Sequence, residues 1–146
     1  MENLDELLKL ENQLCFPLYA ASKEVIRRYK PFLDELDITY TQYIVLLALW
    51  EKDDILVKEL GEQLYLDSGT LTPLLNKLEK KHYIKKTKGK IDQREIFISL
   101  TQEGRNLKGK AYEIPLKLGK CVKIDEEDTL KLKRILSQIL EGFKNE

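Results

Sequence analysis

The stretch from Leu56 to Leu100 constrains the fold of this chain more than any other. It holds a helical pattern from Val57 to Leu64, a brief break, and a second helical pattern from Ser68 to Lys81. Two strand-like runs follow, Tyr83 to Thr87 and Arg94 to Leu100, around a Lys88-Gly89-Lys90 tip. That order predicts a helix-turn-helix followed by a β-wing. In the second helix Leu71, Leu74, Leu75 and Leu78 form the inward stripe, so Ser68, Thr70, Thr72, Asn76 and Lys77 face outward. Hydroxyls, an amide and a lysine on one helix face suit phosphates and base edges. The wing adds Lys86, Lys88, Lys90 and Arg94, placed to follow or enter a minor groove. A polar helix face or a run of charge is by itself an ordinary solvated surface; the two together in this order are more specific.

Charge sharpens the same reading. From Lys77 to Arg94 there are eight basic residues and only Glu79 and Asp92 against them, although the whole chain has 25 basic and 25 acidic residues and a net charge of zero. A neutral chain with one basic face is a directed polyanion binder, not a generally adhesive one. The 146 residues, 42 % of them hydrophobic, are enough for one core and one domain. The longest apolar run, Ile44 to Trp50, is far below the roughly 20 residues of a membrane span, and no secretory segment opens the chain, so a cytoplasmic protein without membrane partners is expected. Cys15 and Cys121, 106 residues apart, have no zinc spacing and are too few for a disulfide framework. No metal or cofactor is expected, and in a reducing compartment such a pair is either inert packing or redox chemistry.

The flanks read as helices. Leu4 to Leu36 is helical in pattern, and Pro17 implies either a kink or a fresh helix nearby, with Asn12 a candidate N-cap. In the second case Cys15 lies in a first turn, where the helix dipole favours negative charge on sulfur. Pro31 opens a second break. Thr39 to Gln42 fits a capping box ahead of a buried central helix, Tyr43 to Trp50. Glu51 to Asp54 reads as a solvated turn, Ile55 to Val57 as a short strand, and Pro73 fits a first turn capped by Thr70. His82 reads as a capping or solvent residue at the end of its helix. Thr101 caps a helix bent at Pro115, and Asp125 to Asp128 open a last helix whose Leu132, Ile135, Leu136, Ile139, Leu140 and Phe143 make a wide apolar stripe. So much apolar surface beside so small a head predicts a symmetric dimer, its heads reading half-sites about 34 to 36 Å apart.

Leu10 to Phe16 (LENQLCF), Leu66 to Leu75 (LDSGTLTPLL) and Ser99-Leu100-Thr101 resemble the MarR family of winged-helix regulators, and most closely its organic-hydroperoxide-sensing branch, usually called OhrR. The similarity runs from about Leu10 to Leu107 and is looser over the last 35 residues. The resemblance implies a homodimer that binds double-stranded DNA at an inverted repeat and represses a peroxide-detoxifying gene. It also implies that Cys15 is the reactive cysteine, that Tyr29 and Tyr40 hold it across the dimer, and that Asp92 steers Arg94 into the minor groove. Cys121 resembles the resolving cysteine of the two-cysteine subtype. Pro17, Val57 and Gln93 depart from the family pattern, at a usually unbroken helix, a usual hydroxyl cap and a usual wing acid.

The residues add a physical account. Tyr29 lies 14 residues after Cys15, nearly the same helix face but about 21 Å along the axis, so without a sharp bend it cannot touch its own Cys15, and an antiparallel crossing of two such helices would bring them together. No lysine or arginine stands one turn from Cys15, and Glu11 opposes a thiolate. Phe16, Leu18 and Tyr19 would favour an organic hydroperoxide as the inducer. The expected fold is mainly α with a small β-wing, a winged helix-turn-helix at 39–100 between dimerisation helices at 1–38 and 101–146. The expected function is a repressor that leaves its operator when Cys15 is oxidised. The alternative within the family is release by a small phenolic ligand. A thiol peroxidase lacks a CxxC or a basic activator here, and a winged helix used only for protein contacts predicts binding that ignores salt.

Overall fold

The computed structural model describes residues 3–144, so the outermost two residues of each expected flank fall outside it. Its elements are α1 (Leu4–Leu7), a 3-10 turn (Leu10–Asn12), α2 (Cys15–Asp34), α3 (Tyr40–Glu51), β1 (Ile55–Leu56), α4 (Val57–Leu64), α5 (Ser68–Lys80), β2 (Ile84–Lys88), β3 (Ile96–Leu100), α6 (Gln102–Ala111), α7 (Glu113–Gly119) and α8 (Glu126–Lys144). The three strands form one antiparallel sheet in the order β1-β3-β2, with Ile55 opposite Ile98 and Ile84 opposite Leu100. Helix, helix and hairpin in this order make a winged helix-turn-helix, as the sequence pattern predicts.

The core centres on α3. Tyr43, Val45, Leu46, Ala48 and Leu49 are buried there, and Thr39 and Gln42 form both halves of the expected capping box. Against it pack Leu60 of α4, the four leucines of α5, Ile84, Ile98 and Leu100 of the sheet, Leu107 and Ala111 of α6, and Ile114 of α7. The core also takes in Leu33 near the end of α2, so it reaches past both expected borders of the head. No buried side-chain polar atom lacks a partner among the described residues. α8 is different: it buries none of its residues, and Asp125 caps it by accepting the Asp128 amide at 2.7 Å.

Several local expectations change. Asn12 is not the N-cap of the cysteine helix; its side-chain amide donates to the Glu6 carbonyl at 2.6 Å, and Leu14 holds the cap position without a side-chain bond. Pro17 is then the third helical residue, where its missing amide forfeits nothing. Pro31 does not break α2, which runs on to Asp34; only the Arg27 carbonyl loses a partner. Asp67, not Thr70, caps α5, accepting the Thr70 amide at 2.8 Å, so Pro73 sits in the second turn. Val57 opens α4 instead of extending β1. Asp53 is not a free turn residue: its carboxylate accepts the Leu100 amide at 2.8 Å and ties the end of β3 to the turn. α6 ends at Ala111, four residues before Pro115, since a proline ring collides with the carbonyl four residues back, that of Ala111.

Three helices end alike. Asp37, Tyr65 and His82 adopt left-handed backbone (φ 54°, 57° and 64°), and the next amide reaches back, Ile38 to Leu33, Leu66 to Gly61 and Tyr83 to Leu78. This closure satisfies carbonyls that a helix end leaves open. It also takes Tyr83 out of the expected strand, which begins at Ile84.

Candidate functional site

The outer face of α5 is built by its leucine stripe. With Leu71, Leu74, Leu75 and Leu78 buried, Ser68, Thr70, Thr72, Asn76 and Lys77 are exposed together, as expected. The Asp67 carboxyl is held below its usual range chiefly by the Thr70 amide, then by the Thr70 hydroxyl. Asn76 accepts from the Lys86 ammonium through Oδ1, and Glu79 accepts the Lys86 amide at 3.1 Å, so β2 and α5 are joined side by side. Lys81 belongs elsewhere: its ammonium donates to the Asp37 carbonyl and to Gln42 Oε1, bracing α2 and α3 rather than facing outward.

At the wing, Lys88 ends β2 and Lys90 is exposed in the loop beyond it. Arg94 lies in that loop and not in β3. Asp92 Oδ1 accepts the Arg94 amide at 3.0 Å and the guanidinium Nε at 3.2 Å, while Oδ2 accepts Nη2 at 3.3 Å. That turn removes Arg94 from the strand ladder and aims its fork. The Arg94 guanidinium, then its amide, holds the Asp92 carboxyl below its usual range. Arg94 itself is 92 % exposed, a preset cation free to meet phosphate or groove.

The second cluster is phenolic. The rings of Tyr29 and Tyr40 lie 4.9 Å apart, those of Tyr29 and Tyr43 5.8 Å, and those of Tyr40 and Tyr43 6.2 Å. Burial first, then the Tyr40 and Tyr43 phenols, pushes Tyr29 up to about 12. Burial also raises Tyr40 and Tyr43. All three are therefore neutral hydroxyl donors at ordinary pH. Tyr43 joins a pair expected without it; the signal was its place one turn after Tyr40 on the same helix.

The structure does not bring the sulfur to the phenols within one chain. Cys15 is the first residue of α2, exposed and free, and Tyr29 stands near the other end of that helix. Tyr19, one turn from Cys15, is exposed, with the Lys23 ammonium 5.7 Å from its ring centre. Cys121 follows α7, also free and exposed, its thiol directed at the Lys117 carbonyl at 3.6 Å. Around Cys15, Leu14, Phe16, Leu18 and Tyr19 leave an uncovered apolar face.

A three-stranded wing beside a helix with a basic, hydroxyl-rich outer face defines a winged-helix DNA-binding transcription regulator. Comparison with known proteins agrees. A family model described as transcriptional regulator SarA/Rot matches residues 27–111. The chain is 50 % identical over 141 residues to the organic hydroperoxide resistance transcriptional regulator of Bacillus subtilis (strain 168), covering 97 % of this chain and 96 % of that protein. It is 47 % identical over 136 residues to the HTH-type transcriptional regulator SarZ of Staphylococcus aureus (strain USA300), covering 93 % and 87 %. Among solved structures, reduced AbfR bound to DNA superposes with a TM-score of 0.79 at 34 % identity, covering 95 % of this chain and 96 % of that one. Disulfide-formed AbfR gives 0.62 at 32 % identity, covering 97 % and 94 %; AbfR has been solved from Staphylococcus epidermidis. The chain belongs to the MarR- and SarA-type family of winged-helix transcriptional regulators, in the branch that holds the organic hydroperoxide regulator.

Proposed function

We propose that this protein is a cytoplasmic, homodimeric repressor that leaves an inverted-repeat operator when an organic hydroperoxide oxidises Cys15. One observation carries the reading: an exposed cysteine opens α2 amid uncovered apolar side chains, while Tyr29, packed with Tyr40 of α3, sits about 21 Å along the same helix. Two α2 helices crossing antiparallel would cover both ends at once and give each sulfur the Tyr29 and Tyr40 hydroxyls of the second chain. In that site the Cys15 thiolate attacks one peroxide oxygen. The S–O bond forms as the O–O bond breaks, and the alkoxide leaves with a proton as an alcohol. The resulting sulfenic acid condenses with the thiol of Cys121 from the second chain, forming an S–S bond and releasing water.

A disulfide requires Cα atoms within about 4.4 to 6.8 Å, so closing it would pull α7 against the start of the other α2 and reset the distance between heads. The better superposition with DNA-bound reduced AbfR than with its disulfide form favours reading the present conformation as the one that binds DNA. In operator-binding assays with cumene hydroperoxide, the unaltered protein should release DNA, and Cys15→Ser should bind equally well but stay bound. Cys121→Ser should stop at a sulfenic acid that a dione reagent traps. Release of Cys15→Ser by peroxide would defeat the proposal. Release by salicylate-like acids alone would favour a phenolic effector, and multiple-turnover peroxide consumption with a thiol reductant would favour a peroxidase.

A further inference from the structure

The most exposed large apolar side chain among the described residues is not on a terminal helix. It is Ile91, at 103 % exposure, in the middle of the wing loop. Its chain neighbours are all polar, Lys90 on one side and Asp92, Gln93 and Arg94 on the other. The loop is also closed on itself. The Gly89 amide donates to the Glu95 carbonyl at 2.8 Å, the Glu95 amide to the Asp92 carbonyl at 3.1 Å, and Asp92 holds Arg94. Gly89 is pinched in this closure: a Cβ there would lie 2.3 Å from the Asp92 carbonyl oxygen. These bonds fix the loop at both shoulders and leave Ile91 outward at its apex.

We infer that Ile91 is a further DNA-contacting residue, an apolar tip that packs into the minor groove beside Arg94 and favours A·T pairs there. The inference rests on the reading of this chain as a DNA-binding regulator. Lys90 and Arg94 bring the tip to the phosphates on either side, and a groove about 6 Å wide admits one aliphatic side chain between sugar walls rich in C–H. Isoleucine is among the side chains that minor-groove proteins insert in this way. Over A·T pairs the groove floor carries only acceptors. A G·C pair adds the guanine amino group, which would fill the space and lose its water against an alkyl chain.

The test uses a duplex isolated by binding from a random-sequence pool with the unaltered, reduced protein, titrated by fluorescence anisotropy across roughly 50 to 300 mM salt. Ile91→Ser should bind about tenfold more weakly at every salt concentration with an unchanged salt slope, because burial and not charge is removed. Ile91→Leu should restore affinity. Arg94→Ala should lower the slope by about one per head. Replacing A·T by G·C where footprinting finds the wing should weaken the unaltered protein but barely move Ile91→Ser. Ile91→Ser binding within twofold of the unaltered protein, or with a shallower salt slope, would overturn the inference alone. Recovery of no bound duplex by the unaltered protein would overturn the DNA-binding reading and this inference with it.

Discussion

The head and the last helix of this protein are both rich in leucine and isoleucine, and they use them in opposite ways. Leu46, Leu60 and Leu78 in the head are wholly buried, while Leu132, Ile135 and Phe143 in α8 stay exposed and no residue of α8 is buried. The head closes a core from its own chain. α8 has the stripe of a packed helix that its own chain leaves unburied, and in water such a stripe calls for another surface. With the homodimer proposed above, the difference would place stability and assembly in separate parts of the sequence.

The comparison breaks most directly at its extremes. Leu78→Ala should destabilise the head by about 3 kcal/mol, read from urea unfolding, since it empties a fully enclosed site. Ile135→Lys should change the unfolding of dilute protein by less than about 0.5 kcal/mol, yet raise the concentration at which dimers form by about tenfold, read by sedimentation. Equal losses from the two variants would erase the distinction between the regions. Thr39→Ala, which removes the hydroxyl that accepts the Gln42 amide, should cost about 1 kcal/mol and act on the head alone.

The smallest expected effect lies in alkali. The folded protein holds the Tyr29 proton up to about 12 against an ordinary 10, so between those values the unfolded chain gives up a proton that the native state keeps. The contribution is whole below pH 10 and is lost as pH rises through about 12. Tyr29→Phe should therefore flatten the fall of the thermal midpoint across that window, whereas a change confined to α8 should leave the fall as it is.

Much of the head was legible because local chemistry and hydrophobic period agreed there. Thr39 with Gln42, and the α5 leucines, each state a local rule and obey it. The helix ends were harder. Asp37, Tyr65 and His82 take left-handed backbone with no glycine or asparagine to announce it, although a capping role for His82 was readable from its place after α5. The Asp53 carboxylate bonds an amide 47 residues away, a pairing that tertiary packing alone creates. At the candidate sensor the residue types were legible, but Tyr43 entered the phenol cluster only once two helices were folded together. The outward face of α5 followed directly from the burial of its leucines. The break before β3 did not, because a single side chain, Asp92, captures the amide that a strand would have used.

One small contact at the far end of the chain has a practical consequence. The Lys144 ammonium lies 5.2 Å from the ring centre of Tyr65, the left-handed residue between α4 and α5. A fluorophore or affinity handle carried on that lysine's amine would sit beside the turn of the helix-turn-helix, next to α5. Labelled there, the molecule would report on that turn directly; tagged there carelessly, it would report an affinity that belongs to the tag.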